Sequence, residues 1–287
     1  MKHLTCFAIV LLGLVWSAGA EEAAVEKVTL AGDGLTLQGY YYPATSPKPG
    51  PAIVLMHGCS GMFEKGGKVL ESYAFWAEHF RKLGYSALLL DSFSPREVKE
   101  ICTQKGRSIL PERERSADAH AGLAWLAARK EVDPAHIHLL GWSNGAMAVL
   151  HAAKVGSHGS KPGLGFRSAV AFYPGCAQVA KERGYKLAVP LLIQSGEADD
   201  WTPARHCRDL VAALADRADS AKVEMDSYPD AHHSFDRIGL KARFRADVRN
   251  PNQPSGWGAT IGSNPAAREA AIKRTTAWVE ARDKAEK

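Results

Sequence analysis

A serine stands between two glycines at residues 141–145, Gly-Trp-Ser-Asn-Gly, and this stretch offers the clearest opening for chemistry. The apolar run Ile137-His138-Leu139-Leu140 precedes it, and Ala146, Ala148, Ala152 and Ala153 follow at helical spacing. A strand, a sharp turn and a helix are therefore expected, with Ser143 at the apex. The apex residue of such a turn is held in a strained backbone conformation. Side chains two residues to either side would collide, which the glycines avoid. The turn lifts the hydroxyl above a sheet and aims helix N-terminal N–H groups at whatever binds there.

A serine hydroxyl is a poor nucleophile until an imidazole takes its proton, and a carboxylate must hold that imidazole in the right tautomer. Two stretches downstream supply those groups. Ser195-Gly-Glu-Ala-Asp-Asp200 offers Asp199 or Asp200, and Pro229-Asp-Ala-His-His-Ser-Phe235 offers His232 or His233. Residue type alone leaves both pairs open. The aspartate that is not the acid reads as a turn former or, at Asp200, as a cap of the following helix, and the histidine that is not the base reads as a packed or hydrogen-bonded loop residue.

These residues need a scaffold, and the chain supplies one as alternating strands and helices. Residues 25–32 and 35–42 read as a two-stranded antiparallel start turning at Gly32-Asp33-Gly34. Ala52–Met56, Ser86–Leu90, Ile137–Leu140, Ala169–Tyr173 and Val189–Gln194 are apolar runs suited to parallel strands buried on both faces. Lys222–Tyr228 alternates apolar and charged residues, as an edge strand with one wet face does. Helices are expected over 72–83, 112–129, 203–218 and 265–285, and loops over 92–111 and 237–263. The pattern predicts an α/β fold with a mostly parallel, doubly wound sheet flanked by helices. In such sheets ligands bind beyond the carboxyl ends of the strands. The residues found there are Gly58-Cys59, Asp91, Ser143, Pro174, Asp199 and His232-His233. Serine, acid, histidine is the chain order of α/β-hydrolase triads.

Over nearly all of residues 21–287 the chain resembles the dienelactone hydrolase family of α/β-hydrolases. The pieces that carry the likeness are LMHGCSGM, LLLDSF, GWSNGA, SGEADDWTP and YPDAHHSFD. The resemblance implies a single α/β-hydrolase domain with no large cap domain, since the segment between Tyr173 and Val189 is short, and hence a fairly open site. It implies Ser143 as nucleophile and Asp199 as the acid, because Gly196, Asp199 and Pro203 fit the family's acid turn. It implies His233 as the base, since Ser234-Phe235 follow. The backbone N–H groups of Cys59 and Asn144 are the implied oxyanion hole, with His57 a structural hydrogen-bonder beneath that loop. Trp142 and Trp201, flanking the serine and the acid, are candidates to line a substrate pocket. Because an arginine binds the substrate carboxylate in the family, Arg96, Arg107 and Arg113 are candidates too, Arg96 foremost. The dienelactone-cleaving members use a cysteine nucleophile, so Ser143 favours an ordinary carboxylic ester or lactone as substrate. No cofactor and no metal is implied. A peptidase of the prolyl-oligopeptidase type and a catalytically silent binding protein are the rival readings.

Composition bounds the rest. Residues 1–20 read as a signal peptide, with Lys2 and His3 before an apolar run and Ala18-Gly19-Ala20 at the cleavage site. That run is too short to span a bilayer, and Cys6 lies too early for a lipid anchor, so a periplasmic or extracellular protein without a membrane anchor is expected. The net charge of +5 is spread along the chain with acids interleaved, which argues against nucleic-acid binding. Nothing in the sequence sets the oligomeric state. Cys59, Cys102, Cys176 and Cys207 remain after export, an even number that suggests two disulfides. In the strand order of the resembled fold, Cys59 pairs with Cys102 and Cys176 with Cys207, since other pairings would have to bridge the elbow strand.

Overall fold

The structure is a computed structural model describing residues 24–46 and 48–284; the signal peptide expected at 1–20 lies outside the described residues. Eight strands form one sheet in the order β1-β2-β4-β3-β5-β6-β7-β8. The strands are β1 (Glu26–Ala31), β2 (Thr36–Tyr42), β3 (Gly50–Met56), β4 (Ser86–Asp91), β5 (Val132–Trp142), β6 (Ala169–Phe172), β7 (Leu191–Gly196) and β8 (Val223–Tyr228). The β1–β2 and β2–β4 pairings are antiparallel, and the other pairings of this sheet are parallel. The expected α/β-hydrolase sheet is therefore present.

The apolar runs of the central strands are continuous because both faces are covered. On β3, Ala52, Val54 and Met56 share with helices α2 (Ser116–Ala127) and α3 (Asn144–Ala152) a core that continues under β7 and β8 to α4 (Ala204–Ala215). Ile53 and Leu55 point the other way, toward α1 (Glu71–Lys82) and α5 (Pro265–Asp283), where Trp76, Phe80 and Trp278 are buried. Each such side chain removed from water contributes about 1.5–3 kcal/mol. α5 opens with Asn264, whose side chain accepts from the Ala267 N–H, and with Pro265 in its first turn. β8 is one edge, opposite β1, and its wet face carries Glu224 and Asp226 bound by Arg274 of α5.

Two expectations need correction. Residues 237–263 are not a plain loop: β9 (Arg243–Arg249) and β10 (Trp257–Ile261) form an antiparallel hairpin. The helix expected from residue 112 begins instead as one wide π-type turn, Pro111–Arg115, and only then becomes α2. Such turns redirect a helix without ending it. No cap domain forms among the described residues.

The chain pairs Cys59 with Cys102 and Cys176 with Cys207. In the chain-entropy model a loop of this size contributes up to about 4 kcal/mol. Replacing Cys176 and Cys207 together by alanine should lower unfolding stability by up to that amount in guanidinium titrations. A loss under about 0.5 kcal/mol would show that this bridge contributes nothing.

Candidate active site

Ser143 sits between β5 and α3 with φ 52° and ψ −116°, a conformation that costs energy for a residue with a Cβ. Ser143 N donates to Phe172 O at 2.9 Å, and Met147 N donates to Ser143 O at 2.9 Å, which hold the turn. The glycines serve close approach rather than unusual dihedrals. A Cβ on Gly145 would lie 2.1 Å from Met56 O and 2.4 Å from His57 O, and one on Gly141 would lie 2.5 Å from Gly145 O.

The structure brings the three sequence-predicted residues together. His233 Nε2 lies 2.9 Å from Ser143 Oγ, and its Nδ1 lies 2.8 Å from Asp199 Oδ2. With Nδ1–H given to the carboxylate, Nε2 keeps its lone pair for the serine proton. Asp199 is itself anchored, because Oδ1 accepts the Trp201 and Thr202 N–H groups at 2.9 and 2.8 Å. The other member of each pair has a different job. Asp200 accepts the Thr260 N–H and hydroxyl, tying β10 to the acid turn, and His232 Nδ1 lies 3.0 Å from Ala198 O. β10 also bridges to His233, with Gly262 N donating to His233 O at 3.0 Å. The imidazole stands between two rings, Tyr173 at 4.6 Å and Trp201 at 4.7 Å.

The two N–H groups assigned to the oxyanion hole come from Cys59, in the loop after β3, and Asn144, the first residue of α3. The Asn144 N–H lies in the first turn, where helical N–H groups have no partner within the helix. Among the described residues the Cys59 N–H donates to no other group. His57 is fully buried beneath that loop. Its Nδ1 donates to Gly58 O at 2.8 Å, and its Nε2 accepts from Ser92 N at 3.2 Å. Burial, and then the Arg115 charge, hold its pKa well below the ordinary value, so it is neutral.

Several candidates fall elsewhere. Arg96 does not reach the cleft, since its guanidinium grips the buried Asp118 in a two-pronged ion pair at 2.8 and 2.9 Å. Arg107 donates to Ile101 O, and Arg113 is exposed beside Glu114. The arginines that line the cleft are Arg237, just after the histidine loop, and Arg245 of the hairpin. Trp142 does line the cleft, as its floor. Only 1% exposed, it packs on Tyr73 and Trp76 and donates its indole N–H to Asp236 at 2.9 Å. Trp201 does stand in the wall, with its indole N–H on Arg249 O.

Two buried charges escaped the sequence reading. Asp236 accepts from Trp76, Trp142 and the Tyr173 hydroxyl, at 3.0, 2.9 and 2.7 Å. Burial pushes its pKa up against those three hydrogen bonds. Arg115, at the end of the wide turn, is 0% exposed and donates to His57 O at 2.7 Å and to Asn144 Oδ1 at 2.8 Å. Burial pushes its pKa down to about 10, so it remains charged at neutral pH. Neither has a local signal in the sequence, because every partner is distant along the chain. The cleft itself is narrow, about 50 Å³, because Arg245 and Ile261 of the hairpin close one side. The expected openness is thus not found. Across Ser60, Cys102 and Arg245 it shares a wall with a larger cavity of about 1000 Å³.

The elbow's dependence on close packing is testable. Gly145→Ala should cost at least about 3 kcal/mol, since the added methyl meets backbone rather than a movable side chain. A melting temperature within about 1 °C of the parent would refute the packing argument.

A model of the dienelactone hydrolase family matches residues 37–282, from β2 to the end of α5. An uncharacterized protein of Mycobacterium tuberculosis is 30% identical over 203 residues, which span 64% of this chain and 65% of that relative's length. Among solved structures, the chain is similar to a dienelactone hydrolase-like promiscuous phosphotriesterase from metagenomic libraries. The TM-score is 0.64 at 16% identity, over 90% of this chain and 97% of that one. It is also similar to dipeptidyl peptidase 4 of Porphyromonas gingivalis, with a TM-score of 0.55 at 18% identity, over 75% of this chain and 33% of that one. At such identities the structural likeness speaks for the fold. The family match takes in the elbow, the acid turn and the histidine loop together, and the chain belongs to the dienelactone hydrolase family.

Proposed function

We propose that this protein is an exported serine hydrolase that cleaves a small carboxylic ester or lactone. The observation that carries the reading is the continuous hydrogen-bonded line Ser143–His233–Asp199, with 2.9 and 2.8 Å between successive partners, opening into a cleft. In this reading Ser143 Oγ attacks the carbonyl carbon while its proton passes to His233 Nε2. The Cys59 and Asn144 N–H groups receive the carbonyl oxygen as it becomes an oxyanion. The bond to the leaving alcohol breaks, and the imidazolium gives the alcohol its proton. Water, deprotonated by the same imidazole, then attacks the acyl-enzyme and frees the acid. Asp199 keeps the ring in the productive tautomer and stabilises the imidazolium. Arg237 and Arg245 line the cleft; Arg245 is held in a two-pronged ion pair by Asp247, so the preference for a substrate carrying negative charge rests on Arg237. Export is supported by the two disulfides, which persist in oxidising compartments, and by the sequence of residues 1–20. Among the described residues no helix is long and apolar enough to cross a membrane.

Kinetics on p-nitrophenyl esters of graded acyl length test the reading. Ser143→Ala and His233→Ala should each lower kcat by about 10³-fold or more, because such groups act as a unit. Asp199→Asn should follow them within about tenfold, whereas Asp200→Asn and His232→Ala should lose far less. Parental rates in Ser143→Ala, or a parental chain that cleaves dipeptidyl amides in preference to every ester, would overturn the proposal.

A further inference from the structure

We propose that Arg115 is the positioning residue of the oxyanion hole, a buried fork that locks together the two chain segments whose N–H groups meet the substrate oxygen. The inference rests on the assignment of Ser143 as nucleophile and of Cys59 and Asn144 as donors.

The two donors lie far apart in the chain, one after β3 and the other at the start of α3. Both must come within about 2.7–3.1 Å of a single point that exists only in the transition state. A misplacement of about 1 Å in such a site costs about 10²-fold in rate, so something must fix one segment against the other. Arg115 touches both. Nη2 donates to His57 O at 2.7 Å and Nη1 to Asn144 Oδ1 at 2.8 Å. The guanidinium is planar and its Nη–Nη spacing is set by covalent geometry, so the two acceptors cannot drift independently. Phe93 lies against the fork, its ring centroid 5.0 Å from the guanidinium carbon.

A second set of contacts carries the orientation to the donor itself. His57 Nδ1–H and the Gly61 N–H both bind Gly58 O, at 2.8 and 3.3 Å. In a trans peptide the C=O and the following N–H point in opposite directions, so fixing Gly58 O aims the Cys59 N–H the other way. This works only while His57 is neutral, because its Nε2 must accept from Ser92 N–H. The charged groups facing His57 are Arg115 and Asp91, the latter with Oδ1 3.9 Å from Nε2.

Stability alone is a poor reason for this arrangement. Arg115 Nε and Asn144 Nδ2 are buried without a partner among the described residues. Unpaired buried donors are costly, and well-packed apolar residues in place of a buried ionic group are often neutral or stabilising. A fork that costs stability and touches both oxyanion segments points to geometry as its purpose.

The test compares the parental chain with Ser143→Ala, Arg115→Met, Arg115→Lys and Asn144→Ala on p-nitrophenyl acetate. Each is also titrated with a trifluoromethyl ketone, which forms an oxyanion on the serine. Arg115→Met should lower kcat and weaken the ketone by about 100-fold each while KM changes less than about threefold. Arg115→Lys, able to reach only one acceptor, should recover part of that loss. Should Arg115→Met fail to fold, Asn144→Ala keeps the cation and removes one prong, and a loss in kcat of about tenfold is expected. Parental kcat and ketone affinity in Arg115→Met or Asn144→Ala, or a loss confined to KM, would overturn the role of Arg115. Full activity in Ser143→Ala would instead strike the nucleophile assignment, so the two failures are distinguishable.

Discussion

α3 can begin directly against the end of β3 only because residue 145 has no side chain. Met56 O and His57 O occupy the space where its Cβ would be. That single close approach sets three things at once. It places the Asn144 N–H beside the loop that carries Cys59, it lifts Ser143 into its strained apex, and it faces the hydroxyl toward the histidine loop after β8. Parallel strands make the arrangement possible, since their carboxyl ends all open on one edge of the sheet and loops that are distant in sequence meet there.

Below the elbow the protein spends buried charge rather than apolar packing. Asp118 is neutralised by the two-pronged grip of Arg96, Arg115 spans the two oxyanion segments, and Asp236 collects three neutral donors. Buried ionic groups stabilise weakly against well-packed apolar alternatives. What they do supply is direction, because a hydrogen bond has an angle and a methyl contact does not. Asp236 illustrates this: it holds the Tyr173 hydroxyl, and the Tyr173 ring in turn packs against His233 at a steep angle. The hairpin β9–β10 completes the support from the other side, through Asp200 and Gly262.

The sheet, its helices and the residues at the strand ends were legible because each rests on local periodicity or on a turn with a steric requirement. The elbow is the clearest case, since glycine spacing and strain are written in five consecutive residues. Arg96 misled because its partner Asp118 is 22 residues away, on an Ala-rich helix whose sequence does not show that this acid is buried. Arg115 was invisible for the same reason, its acceptors lying 58 and 29 residues distant. The hairpin did leave a trace. Arg243, Arg245, Asp247 and Arg249 alternate with Phe244, Ala246 and Val248, a period-two pattern overshadowed by the glycines, prolines and asparagines around it. Trp142 is legible beside the serine and does line the cleft, although alternation along β5 packs most of its ring into the core beneath.

The central claim is that one hydroxyl, Ser143 Oγ, bonds covalently to the acyl group during turnover. The most direct measurement is intact-mass and peptide-map mass spectrometry of the parental chain after brief exposure to a fluorophosphonate. A single adduct is expected on the peptide that contains Ser143, and none on that peptide in Ser143→Ala. An adduct on a different residue, or no adduct on folded protein, would contradict that claim.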